Sequence, residues 1–461
     1  MKINGKHLKK WGLPSGKVFS VALKLIHDTG LDKTGSETLI TGIVKSPEKY
    51  LDGPYAPIAN ELIPQNTEPE VKSLRTNAVP TKVFGDGMIE GGALHQLYTA
   101  AKLPISVQAA IMPDGHQGYG LPIGGVLATD NAIIPYAVGC DIGCRMHMTI
   151  TDIPAKDMPG MHGKLVNVLT DNTVFGIGNK TLPANHPVLD DERFDIPMLK
   201  KERLQEKACI QLGTSGSGNH FVEFGSVEMP EYDSPRLAIL SHSGSRGVGF
   251  KIADFYSKLA MEKCKLPGDA KHLAWLSMDD EDGQEYWEAM NLAGDFARAC
   301  HIVIHKRLMK ALKAHKVKII QNHHNFAWKQ TLPSGQDVII HRKGATPANK
   351  GELGLIPGSM SSYSYIVTGK GNPDSMGSSS HGAGRAMSRT AAKEKFTMSW
   401  MRKDLASKGI TLLGGAVDEC RGSYKDIELV MEAQSDLVEI QGRFMPYIVC
   451  MAEEQKKKWE K

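Results

Sequence analysis

Short apolar runs that break off into glycine, serine, asparagine and histidine recur along this chain. RLAILSHSGSRG (236–247), VKIIQNHHN (317–325) and DVIIHRKGAT (337–346) each read as a buried strand whose C-terminal end delivers polar residues. In IMPDGHQGYGLPIGGVLAT (111–129) turn residues alternate with apolar ones and lead into a predicted strand, Ile123–Thr129, with Asp114 and His116 on the turn. CDIGCRMHMT (140–149) follows another apolar run, so Asp141 and Cys144, three residues apart, fall at a strand end or tight turn. LGTSGSGNHFVEF (212–224) sets Asn219, His220 and Glu223 just after a glycine-rich loop.

Between these strands the apolar spacing becomes helical. KVFSVALKLIHDT (17–29), 93–101, 248–266, 289–315, 391–407 and 426–441 are predicted helices, and 154–205 reads as a helix-loop-helix surface. Residues 44–85 are proline-rich and weakly periodic, hence expected to be irregular. Strands separated by helices, each strand ending in a loaded turn, predict an α/β architecture whose loops converge on one face. The expected organisation is a single α/β catalytic domain of mixed sheets flanked by helices over 86–461, with 1–85 as an irregular and helical extension packed on it. No internal repeat of fixed period is present.

Composition narrows the classes. At 461 residues the chain can bury a large core, and a net charge of +4 argues against wholesale electrostatic wrapping of nucleic acid. Any anion site is therefore a local pocket, which can still hold RNA ends. Seven cysteines without a regular framework, beside 21 methionines, point to a reduced protein. The basic N-terminus lacks the apolar core of a signal peptide, and no run approaches the roughly 18 apolar residues of a membrane span. A soluble, cytoplasmic protein is expected, and the lysine-rich end 456–461 is expected to be solvated.

The candidate chemistry centres on IPGSMSSYSYIVTGKGNPDSMGSSSHGAGRAMSR (356–389), where glycines, serines and basic residues surround a single histidine, His381. Gly382 and Gly384 leave backbone N–H groups free to approach an anion, and Arg385 can grip phosphate oxygens. Asp141, Cys144, His220, His242 and His324 each sit at a strand-to-turn junction and form a candidate metal-ligand set. Carboxylate, thiolate and imidazole together suit Mn²⁺, Zn²⁺ or Fe²⁺, and a bridging thiolate could hold two ions. A lone histidine is more often a hydrogen-bonded core residue, and a cysteine more often packing; Cys140, Cys209, Cys264, Cys300 and Cys450 are assigned to packing. His323 and His341 are candidates for supporting the ligands from behind. No GxxxxGK[ST], HExxH, paired CxxC or helix-opening GxGxxG occurs. The density of anion-binding elements implies a nucleotide plus a second phosphorylated substrate, with a histidine as candidate nucleophile.

DIGC, GNHFVE, SHSGSRG, HHN, RKGA, PGSM with the following SYS, and SHGAGR followed by MSR occur in this order over about 110–426. In these motifs the chain resembles the RtcB-type RNA ligase family. The resemblance implies a single α/β domain of that family's own type. It also implies an enzyme that joins RNA 3′-phosphate or 2′,3′-cyclic phosphate ends to 5′-hydroxyl ends through a guanylated histidine, in RNA repair or tRNA splicing. GTP and two Mn²⁺ ions are the implied cofactors. Carried over, His381 is the residue that takes GMP. Asp141, Cys144 and His220 bind one Mn²⁺, and Cys144, His242 and His324 the other. Asn219, His220, Phe221, Val222 and Glu223 meet the nucleotide, Glu223 at the guanine, and His324, Asn325, Pro357, Gly358, Ser359, Met360, Ser364, His381, Gly382, Ala383 and Gly384 complete the GTP pocket. Arg246 and Arg385 are candidates for RNA phosphates. Broken RNA is the implied partner, an archease-like activating protein a further candidate, and the subunit number is left open.

The family chain usually closes with a lysine that recognises guanine, whereas here Met451 stands near that place, with Lys456 to Lys458 as possible substitutes. Cys420 to Gly422 also depart from the family pattern, although Tyr424 and Lys425 match. Two alternatives follow: a metal-dependent phosphodiesterase acting on cyclic phosphate ends without ligation, and a non-catalytic RNA-binding relative. The second predicts missing metal ligands, and none of the five is missing.

Overall fold

In the strand Arg145–Pro154 the even-numbered residues Met146, Met148 and Ile150 are fully buried, and they set the geometry of the larger sheet. This strand pairs antiparallel with Arg236–Ser243 on one side and Lys316–His323 on the other. The sheet continues through Phe221–Glu228, Val438–Glu453, Ser364–Gly369 and Leu353–Ile356, with Thr411–Gly415 pairing parallel to Val438–Glu453. Its two ends approach each other: Asn322 Nδ2 donates to the Leu355 carbonyl at 3.1 Å, and Leu355 N donates to Asn322 Oδ1 at 2.9 Å. The result is a nearly closed barrel. Alternation fills it, because successive side chains of a strand point to opposite faces. Met146, Met148, Ala238, Leu240, Ile320, Ile366 and Phe444 form the interior cluster. Their neighbours Leu237, Ile239, Val222 and Phe224 face outward against Leu165, Leu169, Ile304 and Leu308, which lie on the helices His162–Asn172 and Glu281–Leu312.

A second, five-stranded mixed sheet runs Thr81–Val83, Ser106–His116, Ile123–Thr129, Asp337–Lys343 and Phe326–Thr331. The largest hydrophobic cluster lies between it and the helices Gly91–Ala101, Arg246–Lys263 and Glu281–Leu312, joining Ile111, Leu127 and Ile339 to Leu97, Ile252 and Phe296.

These descriptions come from a computed structural model that covers residues 3, 5–14, 17–63, 71–176 and 182–453. The chain divides into two compact units, Met1–Glu70 and Val71–Lys461. The smaller is helical: Lys17–Thr29, Lys33–Lys45 and Ala56–Leu62 enclose Leu8, Trp11, Ala22, Ile26, Ile40, Ile43 and Ile58.

The α/β reading holds, and several local expectations are corrected. The helix predicted at 17–29 has those bounds, but 44–85 is not uniformly irregular, since it contains the helix Ala56–Leu62 and the strand Thr81–Val83. That strand pairs with Ser106–His116, so 71–85 belong to the larger unit rather than to the N-terminal extension. The helix expected over 426–441 is confined to Ile427–Glu432. From Val438 the chain is a 16-residue strand held on both sides, and β-pairing outweighs the weak helical spacing there. The helix expected over 391–407 is two helices, Arg389–Lys395 and Met398–Ser407, the second capped by Thr397 Oγ1, which accepts from Trp400 N at 3.2 Å. Lys456 to Lys461 lie outside the described residues.

Candidate active site

Three neighbouring barrel strands carry their inward-facing rows to one end of the sheet. The row Ile150, Met148, Met146 leads to Cys144; Ala238 and Leu240 lead to His242; Ile320 and Asn322 lead to His324. Because the strands are adjacent and in register, the three side chains meet. Cys144 Sγ is 3.1 Å from His242 Nε2, which is 3.2 Å from His324 Nε2. On the other side of the sulfur, His220 Nε2 lies 3.6 Å away and 3.0 Å from Asp141 Oδ2. The donor atoms fall into two groups sharing Cys144, namely Asp141, Cys144 and His220, and Cys144, His242 and His324, each with its ligand atoms within 4.8 Å of one another.

The electrostatics of the set call for a cation. Burial and the Asp141 carboxylate push the Cys144 thiol well up, so a thiolate there is unfavourable unless a positive ion compensates it. Burial, then His220, push His242 down to about 3, and burial, then His381 and His242, hold His324 far below its ordinary value. His242 and His324 are therefore neutral imidazoles, the ligating form. His242 Nδ1 donates to the Asn219 carbonyl at 3.0 Å, which leaves its Nε2 lone pair aimed at the cluster. Donors of this softness fit one or two borderline divalent ions.

His381 follows the short strand Ser378–Ser380, and its ring centroid lies 4.9 Å from that of His324. Its Nδ1 donates to Asp114 Oδ2 at 2.6 Å, and its backbone N donates to the same oxygen at 3.1 Å. Burial pushes the Asp114 carboxyl up, but the His381 charge and hydrogen bond outweigh this and leave it lowered. The cradle beyond is tight: Gly384 has φ +71°, and a Cβ there would lie 2.1 Å from the Asp114 carbonyl oxygen. Only glycine fits.

These groups open into one cavity of about 410 Å³. Its walls include Asn219, His220, Phe221, Glu223, Asn325, Pro357, Gly358, Ser359, Met360, Ser364, Gly382, Ala383, Gly384 and Arg385, together with Asp141, Cys144, His242, His324 and His381. Val222 faces away into the outer hydrophobic layer. Burial pushes the Glu223 carboxyl well up, and among the described residues no hydrogen bond reaches it. Met451, paired with Phe221 across the strands, forms part of the same wall.

Other residues differ from expectation. Arg246 is not among the wall residues; its Nη2 donates to the Gly176 carbonyl at 2.9 Å and its Nε to Thr214 Oγ1 at 3.3 Å. Arg385 is at the wall but engaged, donating to the Asp418 carbonyl at 2.8 Å, with its guanidinium over the Tyr424 ring. His341 touches no ligand: it accepts from Ile134 N at 2.9 Å and bonds the Leu127 carbonyl at 3.2 Å, a buried brace. His323 points away from the cluster into another cavity. Cys140 and Cys209 are exposed rather than packed, and Cys140 lines the pocket. Asp114 and His116 lie on the strand Ser106–His116, not a turn.

Sequence reading missed two contributors to the wall, Lys343 and Arg389, and the group that holds His381 from behind, Asp114. Lys343 is buried and held down to about 8 by burial, and it hydrogen bonds the Tyr119 carbonyl. Arg389 pairs with Asp418 at 2.7 Å and with Glu419. Asp114 was visible only as a turn residue, without its partner.

Fold and site thus define an α/β protein built around a candidate binuclear metal centre with a carboxylate-oriented histidine beside it. The chain belongs to the RtcB family: the family model described as tRNA-splicing ligase RtcB matches residues 96–452. It is 35% identical over 399 residues to the RNA-splicing ligase RtcB of Escherichia coli K12, covering 80% of this chain and 96% of that protein. The tRNA-splicing ligase RtcB of Nanoarchaeum equitans is 31% identical over 456 residues, with 80% and 95% covered, and that of Thermococcus kodakarensis 28% over 457, with 80% and 94%.

Proposed function

We propose that this protein is an RNA ligase that joins RNA 3′-phosphate or 2′,3′-cyclic phosphate ends to 5′-hydroxyl ends, using GTP and Mn²⁺, with His381 as the group that carries GMP. The observation that carries the reading is the convergence of the Cys144 cluster and His381 on one cavity, with His381 Nδ1 committed to Asp114 at 2.6 Å. With Nδ1 as donor, Nε2 keeps its lone pair and is the nitrogen free to attack.

Asp141, Cys144 and His220 would hold one Mn²⁺ and Cys144, His242 and His324 another, and such ions, when bound, neutralise phosphate charge that repels a nucleophile. The chain's own residues do the rest. His381 Nε2 forms a bond to the GTP α-phosphorus while the bond to the bridging oxygen breaks and pyrophosphate leaves with the electron pair. Asp114 keeps the ring in position and stabilises the positive charge it gains. An RNA 3′-phosphate oxygen then takes the GMP from nitrogen. The 5′-hydroxyl oxygen next attacks the activated 3′-phosphorus, releasing GMP and a proton. Backbone N–H groups around Gly382 to Gly384 and at Gly358 are suited to phosphate oxygens, and Arg246 and Arg385 to the RNA once they leave the Gly176 and Asp418 carbonyls. Glu223, to which no hydrogen bond runs among the described residues, is suited to the N–H edge of guanine. Met451 at that wall supplies packing, and among the described wall residues Glu223 is the group suited to selecting the base.

Incubation of an RNA with 3′-phosphate and 5′-hydroxyl ends with GTP and Mn²⁺ should give joined product, abolished in His381→Ala. Opening of a cyclic phosphate end without GTP and without joining would instead favour the phosphodiesterase reading.

A further inference from the structure

The alternation that turns Cys144 and His324 into the active-site cavity turns their neighbours Arg145 and His323 the other way. These line a separate cavity of about 510 Å³ between the ends of the strands Arg145–Pro154 and Lys316–His323 and the helix Glu281–Leu312. Arg145 is 6% exposed, yet among the described residues its Nε has no hydrogen-bond partner and its Nη2 reaches only the Gly294 carbonyl, at 3.5 Å. Arg298 stands exposed at the rim and, among the described residues, makes no hydrogen bond or ion pair.

Two carboxylates also border the cavity, and both are engaged. Asp295 Oδ2 takes Arg193 Nη2 at 2.6 Å, and Glu352 Oε2 takes Asn349 Nδ2 at 2.7 Å. The opposite wall is aromatic, with Trp328 and His323 rings 5.1 Å apart by centroid and tilted by 39°, and with the Arg342 guanidinium 4.6 Å from the Trp328 ring centroid. A nearly buried guanidinium with an idle donor is costly unless something accepts from it. Guanidinium pairs match the oxygens of phosphate in a fork geometry.

We infer that this cavity is a second anion site, in which Arg145 and Arg298 hold a phosphoryl group. It stands back to back with the metal-ligand cluster, one residue away along two strands. The group could belong to free phosphate or to a nucleoside monophosphate. The inference does not rest on ligation, so the fate of the ligase reading leaves it untouched.

The Trp328 indole resonance of the whole protein, assigned by its loss in Trp328→Phe, reports this cavity directly. Titration with orthophosphate should move it saturably, and in Arg298→Ala the apparent affinity should fall at least tenfold, as it should in Arg145→Met. A parallel titration with GMP separates the sources: tighter binding than orthophosphate assigns a nucleotide, equal binding assigns the free ion. A resonance that neither probe moves overturns the inference, and so does equal affinity in Arg298→Ala, whose exposed side chain leaves the fold intact.

Discussion

A 2.6 Å contact between His381 Nδ1 and Asp114 Oδ2 decides which imidazole nitrogen can react. Asp114→Asn keeps the volume but removes the charge and can present N–H instead of an acceptor. Formation of the GMP adduct should fall roughly 10- to 100-fold, the usual cost of losing such an orienting partner, while metal content stays unchanged. Guanylylation with labelled GTP, alongside metal analysis, checks both halves. Cys144 sits between the two donor groups, so Cys144→Ser should weaken binding at both positions, seen as loss of about two Mn²⁺ equivalents in equilibrium dialysis; loss of one equivalent would contradict a bridging thiolate. The five candidate metal ligands were legible because each stands at a junction between a strand and a turn. Asp114 was not, because its partner lies 267 residues along the chain and only the folded sheet brings them together.

The site depends on three strand rows leaving the barrel in register, so damage inside the barrel should reach the ligands. Phe444 is fully buried in that interior, and Phe444→Ala should cost on the order of 3–5 kcal/mol in urea unfolding. Gly384→Ala tests a different element, the turn after His381, where φ is +71° and the Asp114 carbonyl blocks a Cβ. A loss of about 1–3 kcal/mol is expected, together with reduced adduct formation, because the same turn carries His381 and touches the backbone of Asp114. The strands Arg236–Ser243 and Asp337–Lys343 were readable from their β-branched and apolar runs. The strand Val438–Glu453 was not. Gly442 and Pro446 interrupt its alternation and a register shift follows at Pro446, so its identity rests on the partners it finds on both sides.

At the scale of the molecule, charge is nearly balanced at +4, and the cations near the site are largely committed to Asp418, Glu419 or backbone carbonyls. RNA binding should therefore involve few phosphates. For about three to four contacts on a single strand, log K against log salt should have a slope of about −2 to −3, measurable by filter binding from 50 to about 200 mM salt. The α/β class and the convergence of loops on one face followed from the rhythm of strands, turns and helices. The division at residue 70 did not, because no change in composition marks it. Among the described residues no helix is long and apolar enough to cross a membrane.

The central claim is that a nucleotide is carried on His381 beside the Cys144 cluster. Labelled GTP and Mn²⁺ should leave one acid-labile GMP per chain, recovered by peptide mass spectrometry on the fragment containing His381 and absent from His381→Ala. Label that persists in His381→Ala, or an adduct mapped to a different residue, would contradict the account.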